Sequence, residues 1–320
     1  MPFQQFDVSK LNILPLDERE HDIDLSVNIP LDAPVARIDD ERYDRLADAI
    51  LTARKKHATV LMMYGAHVIR KGNSLHMIEL MKRGLVTHFA TNGAGSIHDF
   101  ELAMIGATCE SVAKYISEGQ FGLWRETGLL NEAVRLGDAE GLGFGEAVGK
   151  YIWENNFSNR EQSVLAMGYH LRVPCTVHIG IGNDIVHEHP NFDAAAAGRA
   201  SYRDFLIYTN SIDRLQDGVF LNFGSAVTGP EVYLKALAMT RNVAKREDRA
   251  INRITTAVFD MQPIEGNVSE TPPKTDPRYY FRPWKTILSR TVADGGASYY
   301  FCGDHAVTVP NLARRLFERM

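Results

Sequence analysis

Thr91-Asn92-Gly93-Ala94-Gly95-Ser96-Ile97-His98-Asp99-Phe100-Glu101 is the stretch on which the fold turns. It follows an apolar run, Leu85 to Ala90, that reads as a buried parallel strand. It precedes Leu102-Ala103-Met104-Ile105-Gly106, which reads as a helix. A strand feeding a glycine turn and then a helix is how α/β proteins hold a nucleotide phosphate. Small residues let the backbone approach the ligand, and the free N–H groups at the helix start point at it. His98, Asp99 and Glu101 add titratable groups within about one turn of that place. The same residues also read as an ordinary strand-to-helix turn with a capping aspartate.

Outward from this stretch the pattern repeats. Arg42 to Lys56 is amphipathic, with Tyr43, Leu46, Ala47, Ile50 and Leu51 on one helical face. Thr59 to Tyr64 is an apolar strand ending in Gly65-Ala66-His67, and a helix capped at Asn73 or Ser74 follows, ending at Gly84. Further on, helices are expected over 163–171, 201–215, 230–243 and 309–319, and strands over 173–179, 218–223, 254–259 and 298–302. Strands alternating with helices imply an α/β fold, a doubly wound parallel sheet covered on both faces. Residues 1–45 are acidic, proline-bearing and weakly periodic. They form an expected N-terminal arm packing on the body or on a neighbouring subunit, with residues 46–320 as the domain carrying the site. The stretches Gly137 to Gly149 and Glu265 to Pro283 read as loops over the site.

The bulk properties exclude several classes. The 320 residues are 45% hydrophobic, enough for a large core, and the formal net charge of -5 gives no nucleic-acid surface. No apolar run approaches the roughly 20 residues that cross a bilayer, and the N-terminus has no signal-peptide pattern. Cys109, Cys175 and Cys302 are too far apart for a disulfide framework or a CxxC metal site, which suits a reducing cytoplasm. His187-Glu188-His189 lacks a third and fourth ligand, so no metal is expected.

Four strand ends carry small or polar residues: 65–67, 91–96, 180–184 and 224–226. Ligands of open parallel sheets sit outside the carboxyl ends of strands, so these turns point to a nucleotide-type ligand. His98 reads as a functional imidazole or as a structural one satisfied by a backbone carbonyl. Lys285 follows Trp284 in a proline-flanked aromatic segment. A lysine beside an aromatic wall loses hydration and becomes a nucleophile; the alternative is a solvent-facing lysine. In Gly303-Asp304-His305, Asp304 is either a ribose ligand or the cap of the last helix.

The order of these motifs resembles deoxyhypusine synthase and its NAD-binding relatives over most of residues 60–317. Gly65 to Gly72 is similar to that family's first NAD-contacting turn, and Thr91 to Gly95 to its TTAGG turn. Glu161-Gln162-Ser163-Val164 with Val173-Pro174 is similar to its ENSV helix and IPV strand. Gly224-Ser225-Ala226-Val227 resembles its GGGV turn, Trp284-Lys285 its Trp-Gly-Lys segment, and Cys302 to Ala306 its YADAS segment. The family's histidine pair after the GGGV turn is replaced by Thr228-Gly229-Pro230-Glu231. Ser96 to Glu101 also resembles a His-Asp-hydrophobic-Glu run of archaeal-type NAD-dependent ornithine cyclodeaminases.

The resemblance implies NAD as cofactor, held by Gly65, Ala66, His67, Thr91, Asn92, Gly93, Ala94, Gly95, Gly224, Ser225, Asp304 and His305. It implies a deoxyhypusine-synthase-like transferase that oxidises an amine carbon to an imine and then transfers the aminoalkyl group. Lys285 beside Trp284 would capture the imine, with His98, Asp184 and His187 moving protons. The alternatives are ornithine cyclodeaminase-like deamination and a non-catalytic NAD-binding paralogue. Asp99 and Glu231 are expected to bind a small cationic substrate, a polyamine or basic amino acid, since carboxylates after strand ends are relieved by a cation. A homo-oligomer, dimer or tetramer, is expected from the arm.

Overall fold

Six short strands form one parallel sheet in the computed structural model, which describes residues 2–320. They are Val60–Tyr64 (β1), His88–Asn92 (β2), Cys175–His178 (β3), Val219–Phe223 (β4), Thr255–Asp260 (β5) and Ala297–Cys302 (β6). Every residue of β1 and β4 is buried, as strands covered on both faces must be. Side chains alternate along β1: Val60, Met62 and Tyr64 join one core, Leu61 and Met63 the other.

The helices are Glu41–Lys55 (α1), Ala66–Arg70 (α2), Ser74–Lys82 (α3), Gly93–Ile105 (α4), Val112–Glu118 (α5) and Leu129–Ala139 (α6). Phe144–Glu154 (α7), Val164–Leu171 (α8), Ala194–Asp213 (α9), Thr228–Arg246 (α10), Ser289–Ala293 (α11) and His305–Phe317 (α12) follow. The first core takes Tyr43 and Ile50 of α1 and Leu312 of α12; the second takes Ile212 of α9 and Tyr233 of α10. Among the described residues no helix is long and apolar enough to cross a membrane.

The strand order is β3-β2-β1-β4-β5-β6, all parallel. The chain winds outward one way from β1 and the other way from β4. Crossovers therefore leave the β1–β4 pair in opposite directions, which opens a crevice above the carboxyl ends of those two strands.

Three expectations need correcting. Gly137 to Gly149 is not a loop over the site: it spans the end of α6, a short turn and the start of α7. Gly137, Gly145 and Gly149 serve close packing. A Cβ on Gly145 would strike the Cys175 carbonyl, one on Gly149 the Leu165 carbonyl, and one on Gly137 the Ala147 side chain. β2 runs on through Asn92, so Thr91 and Asn92 belong to the strand. α9 and α12 begin earlier than their periodicity suggests, because Asp193 and Asp304 cap them with side-chain bonds to the following N–H groups.

The residues before α1 lie along the body. Leu14 N–H donates to the Leu123 carbonyl, Ile23–Asp24 pairs antiparallel with Ala107–Thr108, and Ile29 N–H donates to the Gly72 carbonyl. Asn311 of α12 accepts from Ile38 N–H at 2.9 Å and donates to the Ala36 carbonyl.

Candidate functional site

At the β1–β4 crevice two turns meet. Gly65 N–H donates to the Phe223 carbonyl at 2.8 Å, and a Cβ on Gly65 would strike the Gly224 carbonyl oxygen. Gly224 lies at φ +58°, and a Cβ there would sit 2.5 Å from His305 Nε2. Only glycine meets both demands at these positions. Around them stand polar atoms without partners: His67 Nε2, His305 Nδ1 and Asn222 Oδ1. The rings of His67 and His305 are 6.2 Å apart. Burial lowers the pKa of both rings, that of His305 to about 4, so each is neutral and able to donate and accept. Ser225 Oγ accepts from Gly229 N–H at 2.8 Å in the entry to α10. Asp304 caps α12 and meets Lys71 Nζ at 2.7 Å. Burial works against the Asp304 charge, but Lys71 and the Ala306 N–H hold its carboxyl below the usual range.

The turn after β2 is filled from within. Thr91 Oγ1 donates to the Tyr64 carbonyl, and Asn92 caps α4 by accepting from Gly95 N–H. The Asp184 carboxylate, arriving from the turn after β3, sits on the start of α4: it accepts from Ala94 N–H, and a Cβ on Gly93 would strike it. Burial pushes Asp184 up to about 6, against that N–H bond. His187 Nδ1 accepts from the backbone N–H of Gly182 and of Asp184, and its Nε2 lies 3.9 Å from the Asp184 carboxylate. Asp99 faces away, accepting from Ser163 Oγ and the Val164 and Leu165 N–H groups at the start of α8.

Beside the crevice lies a cleft of about 300 Å³. His98 and Glu101 of α4, Arg70 of α2, Asp184, and Arg19, Cys109 and Glu110 line it, with Ile97, Val112, Phe121 and Ile185 as apolar walls. Glu101 accepts both nitrogens of the Arg19 fork at 2.9 Å, with side chains 1% and 2% exposed. Burial opposes the Glu101 charge, yet Arg19, Thr127 and Thr108 hold its carboxyl below the ordinary value. Glu110 accepts from Trp124 Nε1 at 2.6 Å and from Gly122 N–H at 3.0 Å; burial pushes it up. Arg70 is exposed at the mouth and has no ion-pair partner among the described residues. His67 and Arg70 lie one turn apart on α2, so one short helix joins crevice and cleft.

The candidates that the sequence offers thus divide, with His98 and Asp184 lining the cleft. Lys285 and Trp284 do not line it: Lys285 Nζ meets Tyr279 OH at 2.5 Å and lies over the Tyr279 ring, and Trp284 Nε1 donates to the Glu270 carbonyl. Glu231, at the start of α10, pairs with Arg282 and Lys235. Sequence reasoning misses Arg19, Arg70, Cys109 and Glu110 as cleft residues. Arg19 lies 82 residues from its partner, and no local pattern marks it. Among the described residues no three His, Cys, Asp or Glu side chains are grouped to hold a metal ion.

The buried imidazoles predict acid lability. Burial drives His88 and His178 down to about 3, and His76, His98 and His305 to about 4. Their folded values lie below the ordinary 6.5, so between pH 4 and 6.5 the unfolded chain binds more protons and stability rises with pH. Asp99 and Asp184, raised to about 6, and Asp204, raised to about 8, pull the other way in that window. Five imidazoles outweigh three carboxyls, so a net rise is expected. Urea midpoints at the two ends of the window test this, and an equal or higher midpoint at the acid end overturns it.

No family model matches the chain, and no curated protein matches it. Solved structures do share its fold. Apo ArgZ, an arginine dihydrolase from the ornithine-ammonia cycle in cyanobacteria, is similar at TM-score 0.52 and 16% identity over 88% of this chain and 34% of its own. AgrE in ternary complex with ornithine and NAD+ is similar at TM-score 0.52 and 13% identity, over 89% of this chain and 34% of its own. A conserved LOR/SDH-like protein from Methanococcus maripaludis S2 gives TM-score 0.51 and 12% identity, over 91% of this chain and 74% of its own. The chain spans about a third of the length of ArgZ and AgrE. At these identities the likeness is one of fold, a Rossmann-like α/β domain. Deoxyhypusine synthase is not among these likenesses.

Proposed function

We propose that this chain binds NAD at the β1–β4 crevice and deaminates a small basic amino acid in the adjoining cleft, in the manner of an ornithine cyclodeaminase. The observation that carries the reading is the junction itself. A glycine-lined crevice with unpartnered His67, His305 and Asn222 atoms opens beside a cleft holding an unpaired arginine, two carboxyls besides the Arg19-paired Glu101, and a neutral imidazole. The fold likeness to AgrE, solved with ornithine and NAD+, supports it.

The crevice fits a dinucleotide. Gly65 and Gly224 let backbone reach the ligand, and the orphaned atoms gain the partners that burial demands. Ala66, His67, Ser225, Asp304 and His305 complete the proposed cradle. The α4 turn, Thr91 to Gly95, serves differently, because Asp184 already takes the place of an anion there. The chemistry NAD supplies when bound is acceptance of hydride from a carbon that bears an amine.

The cleft residues then have distinct tasks. Arg70 offers its planar fork to the substrate carboxylate. Asp184 and Glu110 face an ammonium group, whose charge favours their ionised forms. His98, half-buried and neutral, accepts a proton. Glu101 is already neutralised by Arg19 and is not available to the substrate. The site belongs to the body of residues 46–320, with the arm of residues 1–45 contributing Arg19.

The other reading, aminoalkyl transfer through Lys285, rests on the Trp284–Lys285 pair. It is less favoured because the lysine is engaged by Tyr279 away from the cleft. Ammonia release in the presence of NAD, measured with ornithine, arginine, lysine, putrescine and spermidine, separates the readings. Release from an α-amino acid, lost in Arg70→Ala, is expected. Turnover of spermidine alone, trapped by borohydride on Lys285, would replace this proposal with the transferase.

A further inference from the structure

His98 Nδ1 lies 2.9 Å from Thr108 Oγ1, and Thr108 Oγ1 lies 2.8 Å from Glu101 Oε2. These contacts form a chain whose direction is fixed at one end. Glu101 is clasped by both nitrogens of Arg19 and accepts from Thr127 Oγ1 at 2.6 Å. An ionised carboxylate has no proton to give, so each hydroxyl that touches it must donate. Thr108 has one hydroxyl proton, and it goes to Glu101. Its remaining lone pairs can only accept, so the bond to His98 requires a proton on Nδ1. The Cys109 thiol is the other neighbour of Nδ1, at 3.7 Å, a longer and weaker contact that does not compete. A neutral ring protonated on Nδ1 carries its lone pair on Nε2, which is not among the enclosed unpartnered atoms, and His98 lines the cleft.

We propose that Thr108 is a positioning residue: it hands the Glu101 charge to His98, holds the imidazole in its Nδ1–H form and so presents Nε2 as the proton acceptor of the cleft. This rests on the reading of the cleft as the substrate site. The proton that Nε2 takes leaves a substrate ammonium or a bound water. The resulting imidazolium is stabilised through Thr108 by the Glu101 carboxylate, while Arg19 keeps that carboxylate ionised throughout. The relay joins three parts of the chain: the arm (Arg19), α4 (His98, Glu101) and the short strand that pairs with the arm (Thr108).

The test reads the ring directly. The full chain is labelled with 15N-histidine, and the His98 signals are assigned by their loss in His98→Gln. In the native protein the pattern of an Nδ1–H tautomer is expected. Thr108→Val, which keeps the shape and removes the hydroxyl, should convert His98 to a mixture or to the Nε2–H form. It should lower kcat by about 100-fold or more, the usual worth of a placed acid–base group. Thr108→Ser should restore both. An Nε2–H ring in the native protein overturns the proposal, as does an unchanged tautomer in folded Thr108→Val. The native spectrum decides even if the valine variant does not fold. The tautomer is read with no substrate present, so a lack of turnover with every amino acid would remove the cleft's proposed substrate without touching this assignment.

Discussion

Arg19→Ala is expected to cost about 3–5 kcal/mol of folding stability at neutral pH, because it strands Glu101 as an uncompensated buried carboxylate. The pair is bidentate and both side chains are almost fully enclosed, so water cannot take the place of the guanidinium. The loss has a pH signature. In the native protein the Glu101 carboxyl is held below its ordinary value of 4.5, so its contribution is present above that value and fades as pH falls through the folded one. Without Arg19 the carboxyl shifts upward instead, so the deficit of the variant should shrink as the medium is acidified. Arg19→Met combined with Glu101→Leu, which removes both charges, should recover most of the stability while abolishing the relay to His98. Urea unfolding of the three proteins measures this. A cost below about 1 kcal/mol for Arg19→Ala, the range of an exposed pair, would show that the enclosure is not maintained in solution.

The second large effect concerns the crevice. Gly65→Val is expected to abolish NAD binding by calorimetry, since its Cβ already meets the Gly224 carbonyl and its methyl groups would occupy the approach to both turns. His67→Phe, which removes an unpartnered ring nitrogen but leaves the backbone alone, should weaken binding without unfolding the chain. Gly198→Ala is the control. That glycine sits in α9 with open space around it, so alanine there should stabilise by about 0.5–1 kcal/mol and leave binding unchanged. Native affinity in a folded Gly65→Val would move the cofactor away from the crevice, to the turn after β2 or elsewhere.

The alternation of strands and helices is legible because β1 is an unbroken apolar run and β4 an apolar run broken only by Asn222, each ending at a glycine. The spatial order of the strands is not written locally: nothing in Val219–Phe223 says that it lies beside Val60–Tyr64 rather than beside Cys175–His178. Glycine misleads in one place. Gly145 and Gly149 look like loop residues, yet they let α7 approach β3 and α8 at backbone distance. Within the site, His98 and Asp184 stand out in sequence because they follow strand ends. Arg19 and Thr108 do not, since their meaning arises only when the arm folds across α4. The start of α4 reads in sequence as open to a phosphate; that Asp184 fills it depends on a turn some ninety residues later.

The grip of α12 on the arm has a consequence for biosynthesis. The Ile38 N–H and the Ala36, Val35 and Ile38 carbonyls are all bonded by Asn311, Arg314 or Arg315, partners 273 to 279 residues downstream. A ribosome makes these partners 273 to 279 residues after the backbone groups they bond. Until they emerge, the segment that leads from the arm into α1 lacks these backbone bonds, although Arg19 and Glu101 are both already made. The nascent chain therefore holds every residue that lines the cleft before the segment behind the arm is tied down. A truncation before Asn311 should leave residues 35–38 more open to protease than they are in the 320-residue chain.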